Sequence, residues 1–303
     1  MALVKDHAAR AEELGYHSLW VQEQIFGSTP SLEPISLLCY VAAVTERVRL
    51  GTAVIVASTR NPVHLAKAFG SLDQMSGGRL IVGLALGGRR RQYPLLGGPS
   101  ERRVRHFVES IEVMKALWTQ SAAAYEGHFW TLDGVAMEPK PLQQPHPPVW
   151  FGGRHPDGLC RAVRLGDGWM GAGSTTLDEF RGHVPIVREA LESAGKDPAS
   201  FPISKRVYVA VDDDRDRAER RLRDWFRPRY GSEALGSLVS VWGSVSQCIV
   251  GLQDVVDAGA QMLMLNPIFD DMEHLDILAD EVVPQLHLPA GAPPTFFEGE
   301  ASR

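Results

Sequence analysis

Length, composition and charge exclude several classes of protein. The chain has 303 residues, of which 44% are hydrophobic and 22% charged, an ordinary globular composition with enough apolar material for a core. Its net charge of −6 argues against general nucleic-acid affinity. Cys39, Cys160 and Cys248 lie far apart and form no CxxC pair, which indicates a reducing compartment and neither a disulfide framework nor a zinc site. The first residues contain no signal-peptide core and no apolar run approaches membrane-spanning length, so we expect a cytoplasmic protein without metal or membrane contact.

The first elements alternate between helix and strand. Apolar residues from Leu3 to Leu14 recur at helical spacing, and the pattern stops at Gly15, so the chain begins inside a predicted helix. Residues 17–24 follow as a short strand centred on Trp20. Residues 34–47 predict a second helix, with a proline in its first turn.

The stretch from residue 47 to 91 predicts a complete strand–helix–strand unit. Residues 48–57 form a nearly unbroken apolar run, as expected for a parallel strand that is buried on both faces. Asn61-Pro62 interrupts this run, and residues 64–75 carry one apolar stripe at helical spacing. Glycines then end the helix, and residues 79–87 form the next buried strand. This unit predicts a parallel sheet covered by helices.

The alternation continues along the rest of the chain. Predicted core strands start near residues 17, 48, 79, 149, 167, 202 and 261, with helices between nearly all of them. Ser244 and Gln247 have the spacing of a capping box in front of a further helix. Such an alternation favours a (β/α) barrel, which needs eight strands, so the missing strand should precede the first helix. We therefore expect a single domain over 1–287, with 125–148 as a proline-rich surface hairpin and 288–303 as a flexible tail.

Several sequence signatures occur together in a particular order. They are ARAEELGYHSLWVQEQ, ERVRLGTAVIV, RNPVHLAKAFGSLDQMSGGRLIVGLALG, YEGHFWTLDGVAMEPKPLQQPHPPVWFGG, DGWMGAG and DAGAQMLMLNP. Over roughly residues 8–285 they resemble the bacterial luciferase-like family of flavin- and deazaflavin-dependent oxidoreductases. Within that family the chain looks most like the actinobacterial members that use the deazaflavin coenzyme F420. The resemblance implies a TIM-type (β/α)8 barrel of the luciferase-like type that lacks its first strand in this chain.

The resemblance also implies a cofactor site at the carboxyl ends of the strands. Ala53-Val54 matches the family's bulge behind the central flavin ring, often a non-prolyl cis peptide. Gly87-Gly88 closes a strand beside the ring. Phe151-Gly152-Gly153 matches the loop whose backbone amides hold the cofactor phosphate, because glycine lets N–H groups approach the oxyanions closely. Arg154 or His155, which follow this loop directly, is expected to contact the phosphate.

Two departures from the family pattern bear on the chemistry. Deazaflavin-dependent members often carry an acidic residue and then His where this chain has Glu23 and Gln24, our predicted catalytic positions. The sugar-phosphate dehydrogenase members carry a catalytic Glu where this chain has Gly88. Glutamine cannot transfer a proton at physiological pH, although it can hydrogen-bond a carbonyl. These departures favour reduction or oxygenation over dehydrogenation of alcohols, and the alternative for Glu23 is a salt bridge to a neighbouring helix.

Arg89, Arg90 and Arg91 follow a predicted cofactor strand. Such a run is either a solvated face or a site for an anionic substrate or the acidic tail of the deazaflavin, bound through bidentate contacts.

The resemblance implies a coenzyme F420-dependent oxidoreductase that transfers hydride between the deazaflavin and a small organic substrate. One alternative is an FMN-dependent monooxygenase that receives reduced flavin from a partner reductase. Another is a non-catalytic flavin-binding relative. The resemblance also implies a homodimer, because family members are commonly dimers.

Overall fold

The computed structural model describes residues 1–88, 93–99 and 101–289. The predicted arginine contacts at Arg89, Arg90 and Arg91 lie outside these ranges, as does nearly all of the predicted tail. The helices are α1 (Ala2–Glu13), α2 (Pro34–Val44), α3 (Pro62–Met75), α4 (Arg103–Thr119), α5 (Pro156–Leu165), α6 (Leu177–Ser193), α7 (Arg215–Tyr230), α8 (Ala234–Val239), α9 (Val245–Asp257) and α10 (Asp271–Ile277). The strands are β1 (Ser18–Val21), β2 (Arg49–Thr52), β3 (Ile55–Val56), β4 (Leu80–Ala85), β5 (Ala123–Glu126), β6 (Thr131–Val135), β7 (Val149–Gly152), β8 (Gly168–Gly171), β9 (Ile203–Val211), β10 (Ser240–Gly243) and β11 (Met262–Pro267).

All of the predicted core strands are present, each starting within about one residue of its expected position. They are β1, β2, β4, β7, β8, β9 and β11. One predicted strand is divided, and one further strand was not predicted. The apolar run at 48–57 is not one strand, because it is divided into β2 and β3 at residues 53–54. The sequence analysis did not predict β10, whose residues pair with the second half of β9.

Contacts divide the chain into two units, which are described separately. One comprises Trp20–Gln24 and the described residues of Leu32–Gly152, and the other comprises Met1–Leu19, Ile25–Ser31 and the described residues from Gly153 onward. The predicted single-domain organisation of 1–287 stays a prediction. Among the described residues, no helix is both long enough and apolar enough to cross a membrane.

The unit that contains β2, β4 and β7 is built on parallel strands. β2 lies between the end of β1 and β4. On its other side β4 pairs with β7, and its carboxyl end pairs with β3. The strands are apolar on both faces because α3 and α4 supply a buried stripe that includes Phe69 and Phe107. Trp20 lies directly over Gly51, where a Cβ would overlap the indole ring, and its ring centroid is 5.4 Å from that of Trp150. The sheet thus needs glycine at position 51.

The proline-rich segment is shorter as a hairpin than the sequence indicates. β5 and β6 form an antiparallel pair over Ala123–Glu126 and Thr131–Val135. Residues 136–148 contain no regular strand, since their prolines cannot donate to a ladder. The side chain of Gln143 instead donates to Asp73 Oδ1 at 2.7 Å, which ties this segment to α3.

The other unit is built around β9. Parallel strands β8, β10 and β11 all pair with this long strand, β8 at its start and β10 at its end. The predicted capping box is present at the start of α9, where Ser244 and Gln247 each accept a hydrogen bond from the other's backbone N–H. Trp169 stacks on Phe180 at 5.4 Å in the core of this unit.

Candidate active site

Glu23 occupies a buried ion pair directly after β1. Its side chain is only 4% exposed, and its Oε2 accepts a hydrogen bond of 2.8 Å from the backbone N–H of Val56. Its Oε1 accepts from Arg60 Nε at 2.7 Å, and Arg60 Nη2 contacts the same oxygen. Both carboxylate oxygens are therefore engaged. Glu23 thus forms a salt bridge, although its partner Arg60 lies in the loop before α3 and not in a helix, and a catalytic role for Glu23 stays a prediction.

Arg60 links this carboxylate to a second one. Arg60 Nη2 lies 3.0 Å from Glu33 Oε1, and the other oxygen of Glu33 caps α2 by accepting from Ser36 N at 2.7 Å. Partial burial acts to raise the pKa of Glu33, but hydrogen bonds from Ser36 and Arg60 outweigh it, so the pKa lies below its ordinary value. The sequence analysis missed Arg60. No local signal identifies it, because the ion pair joins two positions that are 37 residues apart in the sequence.

The peptide bond between Ala53 and Val54 is cis, as the resemblance implies. Ala53 N donates to Val21 O at 2.8 Å, which fixes this peptide to the end of β1. The side chain of Val54 lies against the end of β7, where a Cβ on Gly152 would stand 3.0 Å from Val54 Cγ1. The structure therefore brings the predicted bulge and one glycine of the predicted phosphate loop into contact. Phe151, the residue before, is buried against Phe107, with ring centroids 5.7 Å apart.

The carboxyl end of β4 is held by a buried polar pair that the sequence analysis did not identify. Ser58 Oγ donates to Leu86 O at 2.8 Å and lies 3.0 Å from the hydroxyl of Tyr93, which also contacts Leu86 O. Gly87 has φ +78°, and a Cβ there would lie 2.5 Å from Val56 Cγ1, so this close turn requires glycine. Gly88 is exposed, and a Cβ there would meet no described atom within 4 Å.

The remaining predicted site residues are Gln24, Gly153, Arg154 and His155. Gln24 is half-buried, and its side chain makes no hydrogen bond to another residue in the described part of the chain. Gly153 and Arg154 belong to the other unit, in which Gly153 O accepts from Trp169 Nε1 at 3.0 Å and Arg154 is exposed. His155 caps α5 by accepting from Asp157 N at 3.3 Å. Phosphate contact by Gly153, Arg154 or His155 stays a prediction.

Comparisons with known proteins agree with this architecture. A sequence model of the luciferase-like monooxygenase family matches residues 2–239. The F420-dependent glucose-6-phosphate dehydrogenase of Kineococcus radiotolerans is 29% identical over 230 residues, which cover 73% of this chain and 67% of that protein. The FMNH(2)-dependent dimethylsulfone monooxygenase of Pseudomonas putida is 25% identical over 202 residues, which cover 66% of this chain and 54% of that protein.

A solved structure shows the same fold. An F420-dependent secondary alcohol dehydrogenase in complex with an F420-acetone adduct superposes with a TM-score of 0.83 at 23% identity, covering 93% of this chain and 94% of that one. The predicted fold class, that of the luciferase-like TIM-type barrels, is confirmed by this likeness. Because the family match spans most of the sequence and the fold agrees, the chain belongs to the luciferase-like monooxygenase family.

Proposed function

We propose that the chain is an oxidoreductase that transfers a hydride between the deazaflavin coenzyme F420 and a small organic substrate. The observation that carries the proposal is that the side chain of Val54, between β2 and β3, lies against Gly152 at the carboxyl end of β7. Membership of the family supports it, as does the relative from Kineococcus radiotolerans, which is named an F420-dependent dehydrogenase.

The residues present fit a flat ring that carries a phosphate. Gly152 lacks the Cβ that would press against Val54, so the end of β7 can lie close to the segment at residues 53–54. Ala53 and Val54 would lie behind the ring, Gly87 beside it, and the N–H groups of Phe151 and Gly152 toward the phosphate. When bound, the deazaflavin supplies a hydride carrier that reacts poorly with oxygen.

Within this proposal, Glu23 is a positioning residue. Both of its oxygens accept hydrogen bonds, Oε2 from Val56 N–H and Oε1 from Arg60, so the carboxylate is held in place by the ion pair. Its hydrogen bond to Val56 holds β3 two residues beyond the cis peptide. Arg60 extends the same constraint to the start of α2 through Glu33. The network therefore fixes the wall on which the ring would rest.

Gln24 is the polar side chain that we assign to the substrate or cofactor. Its amide can donate to or accept from a carbonyl, but it cannot remove the proton of an alcohol. Gly88 provides no carboxylate either. Because Gln24 and Gly88 provide no base and Glu23 is engaged in the ion pair with Arg60, we propose that the chain works in the direction of reduction.

An FMN-dependent monooxygenase is the second candidate function. It is favoured by the similarity to the Pseudomonas putida protein, which is named FMNH(2)-dependent. In that case the chain would need a partner reductase to supply reduced flavin. The reductase, a homodimer and a cytoplasmic location all stay predictions.

A variant at the arginine run tests the proposal. We expect R89Q/R90Q/R91Q to weaken binding of F420 that carries its oligoglutamate tail by about tenfold, since exposed ion pairs contribute about 0–1 kcal/mol each. Binding of FMN, which lacks the tail, should stay within about twofold. R220Q/R223Q/R227Q removes three exposed arginines from α7 and serves as the charge-matched control. An equal loss for both cofactors, or a loss of the same size in the control, would contradict the assignment of the run to the tail.

A further inference from the structure

Residues 153–155, the loop that leads into α5, are held by a buried tryptophan of the same unit. Trp169 lies on β8 with 0% of its surface exposed, and its Nε1 donates a hydrogen bond of 3.0 Å to Gly153 O. Because a buried indole N–H requires an acceptor, this bond fixes the Gly153 carbonyl relative to β8.

Two aromatic side chains of α6 keep the indole in one orientation. The ring of Trp169 stacks on that of Phe180, with centroids 5.4 Å apart and an angle of 12° between the planes. The imidazole of His183 meets the indole edge to face, with centroids 6.0 Å apart and an angle of 87°. An indole packed in this way cannot turn without disturbing α6, so its N–H stays directed at Gly153 O.

His183 also contacts the loop itself. Burial lowers the pKa of His183, while a hydrogen bond with the backbone of Arg154 acts to raise it. A hydrogen bond raises the pKa of a histidine when the ring is the donor, so the acceptor is the carbonyl oxygen of Arg154. Two consecutive carbonyls of the loop, those of Gly153 and Arg154, therefore face Trp169 and His183.

The amide N–H groups of the loop point the other way. In a planar trans peptide the C=O and the N–H lie on opposite sides, so the N–H groups of Arg154 and His155 are directed away from Trp169 and His183. Neither of these two N–H groups donates a hydrogen bond within the described part of the chain. The next amide, that of Asp157, is already bound by His155 Nδ1. The loop thus has two unpaired amide donors that face away from the core.

The surface beside these amides is open. Apart from its chain neighbours, a Cβ on Gly153 would meet no described atom closer than the backbone of Gly158 at 4.0 Å. The side chain of Arg154 is exposed at the same loop. The acidic group of this segment is the exposed Asp157, whose Oδ2 lies 3.7 Å from His155 Nδ1. Amide donors and a guanidinium on an open loop suit a phosphate.

We propose that Trp169 is a positioning residue for the cofactor phosphate. Its indole N–H holds the Gly153 carbonyl inward and thereby presents the Arg154 N–H to the phosphate. His183 supports the same arrangement one residue further along. The assignment rests on the proposed function, because the phosphate is that of the cofactor bound at this loop.

Titration of Trp169→Phe with two pairs of ligands tests the proposal. One pair is F420 and the deazariboflavin that lacks its phosphate and tail, and the other is FMN and riboflavin, which differ by the phosphate alone. Phenylalanine keeps a ring against Phe180 but has no N–H to donate. We expect it to weaken binding of the phosphate-bearing member of each pair by about threefold to tenfold, the effect of one hydrogen bond, and to leave the other member within about twofold.

Trp118→Phe is the matched control. Trp118 is 1% exposed, and its Nε1 donates to the backbone carbonyl of Ala66 at 2.9 Å in the other unit. Both substitutions remove an indole hydrogen bond from a buried position, so they should lower the melting temperature by similar amounts. Trp118→Phe should nevertheless leave the binding of all four ligands unchanged.

A measurement on the unmodified protein does not depend on the folding of either variant. Because coupling between two sites is reciprocal, a bound phosphate should in turn slow hydrogen exchange at the Trp169 indole N–H. We expect this exchange to be about threefold slower or more in the FMN complex than in the riboflavin complex. The indole N–H of Trp118 should exchange at the same rate in both.

The role of Trp169 is overturned if Trp169→Phe weakens both members of a pair equally, if Trp118→Phe has the same selective effect, or if exchange at the Trp169 N–H is equal in the two complexes. Each of these results leaves the proposed function intact as long as the unmodified protein prefers F420 to FMN. A preference for FMN contradicts the proposed function, whereas a loss confined to FMN and F420 in Trp169→Phe still supports the role of Trp169. Failure of all four ligands to bind overturns both.

Discussion

The carboxylate of Glu23 joins three segments that are far apart in sequence. Replacing Glu23 with glutamine preserves the shape of its side chain but leaves Arg60 with one ion pair, to Glu33, in place of two. Removing one partner of a buried ion pair is strongly destabilising, and we expect Glu23→Gln to reduce the free energy of unfolding by about 3 kcal/mol. Denaturant unfolding measures this change.

The matched control for Glu23→Gln is an ion pair of the same type in an exposed position. Arg10 donates to Asp276 Oδ1 at 2.7 Å, but these side chains are 39% and 45% exposed. Arg10→Gln should leave the unfolding midpoint unchanged, because exposed ion pairs contribute little. Similar stabilities for the two variants would show that the network around Arg60 does not hold this part of the fold.

Gln24 is the residue at which binding and stability should separate. Gln24→Ala should reduce cofactor binding or turnover by about twofold to tenfold, the equivalent of one hydrogen bond of roughly 0.5–1.5 kcal/mol. The melting temperature should not change, because the side chain makes no hydrogen bond to a described residue. If Gln24 replaces a lost catalyst, Gln24→His will raise the rate of hydride transfer. No effect from either substitution would place Gln24 outside the site.

The site residues that could be read from the sequence are those that lie next to one another along it. Ala53-Val54 and Phe151-Gly152-Gly153 match short motifs, and the structure confirms the cis peptide of the first. The Glu23–Arg60 pair could not be predicted, because its partners are 37 positions apart and only the folded sheet brings them together. Tyr93 and Ser58 were missed for the same reason.

At the scale of elements, a carboxylate on α4 fixes the β5–β6 hairpin. The Glu109 oxygens accept hydrogen bonds from His128 N at 3.0 Å and Phe129 N at 2.7 Å. A Cβ on Gly127 would lie 2.6 Å from Glu109 Oε2, so glycine allows the turn to approach. Burial acts to raise the pKa of Glu109, but these backbone hydrogen bonds and Arg105 outweigh it and keep the pKa below its ordinary value.

This arrangement predicts a pH-dependent hairpin. Because the folded-state pKa of Glu109 is depressed, its contribution to stability is complete above the unfolded-state pKa of about 4.3 and is lost as the pH falls through the folded-state value. Hydrogen exchange at neutral pH should be about tenfold faster or more at the His128 and Phe129 amides in Glu109→Gln, which loses bonds to a charged group worth roughly 1.5–3 kcal/mol. Unchanged exchange at these amides would exclude this role.

The elements that the sequence analysis predicted correctly are those with strong periodicity. The parallel strands are apolar throughout and α3 has one stripe, so their positions follow from the sequence. β10 was missed because Ser240–Gly243 is short and follows directly on the helical pattern of α8. Only the register of its pairing with β9 makes it a strand, and pairing is not a local property of sequence.

At the scale of the whole molecule, the fold class was predictable because the alternation of strands and helices extends over the chain. The choice between F420 and FMN could not be predicted in the same way, because both cofactors carry a phosphate at the end of a ribityl chain and the loop at 151–153 suits either. The deazaflavin differs by a lactyl-oligoglutamate tail, and Arg89, Arg90 and Arg91 are the charges that we assign to it. Selection between the cofactors is therefore expected to depend on charge and on salt.

The most direct test is a fluorescence or calorimetric titration of the unmodified protein with F420 and with FMN, each at low and high salt. We predict that F420 binds more tightly than FMN and that its advantage shrinks as salt rises, because the Debye length falls from about 10 Å at 0.1 M to about 3 Å at 1 M. Tighter binding of FMN at both salt concentrations, together with oxygen consumption in the presence of reduced FMN, would contradict the proposal and establish the monooxygenase alternative.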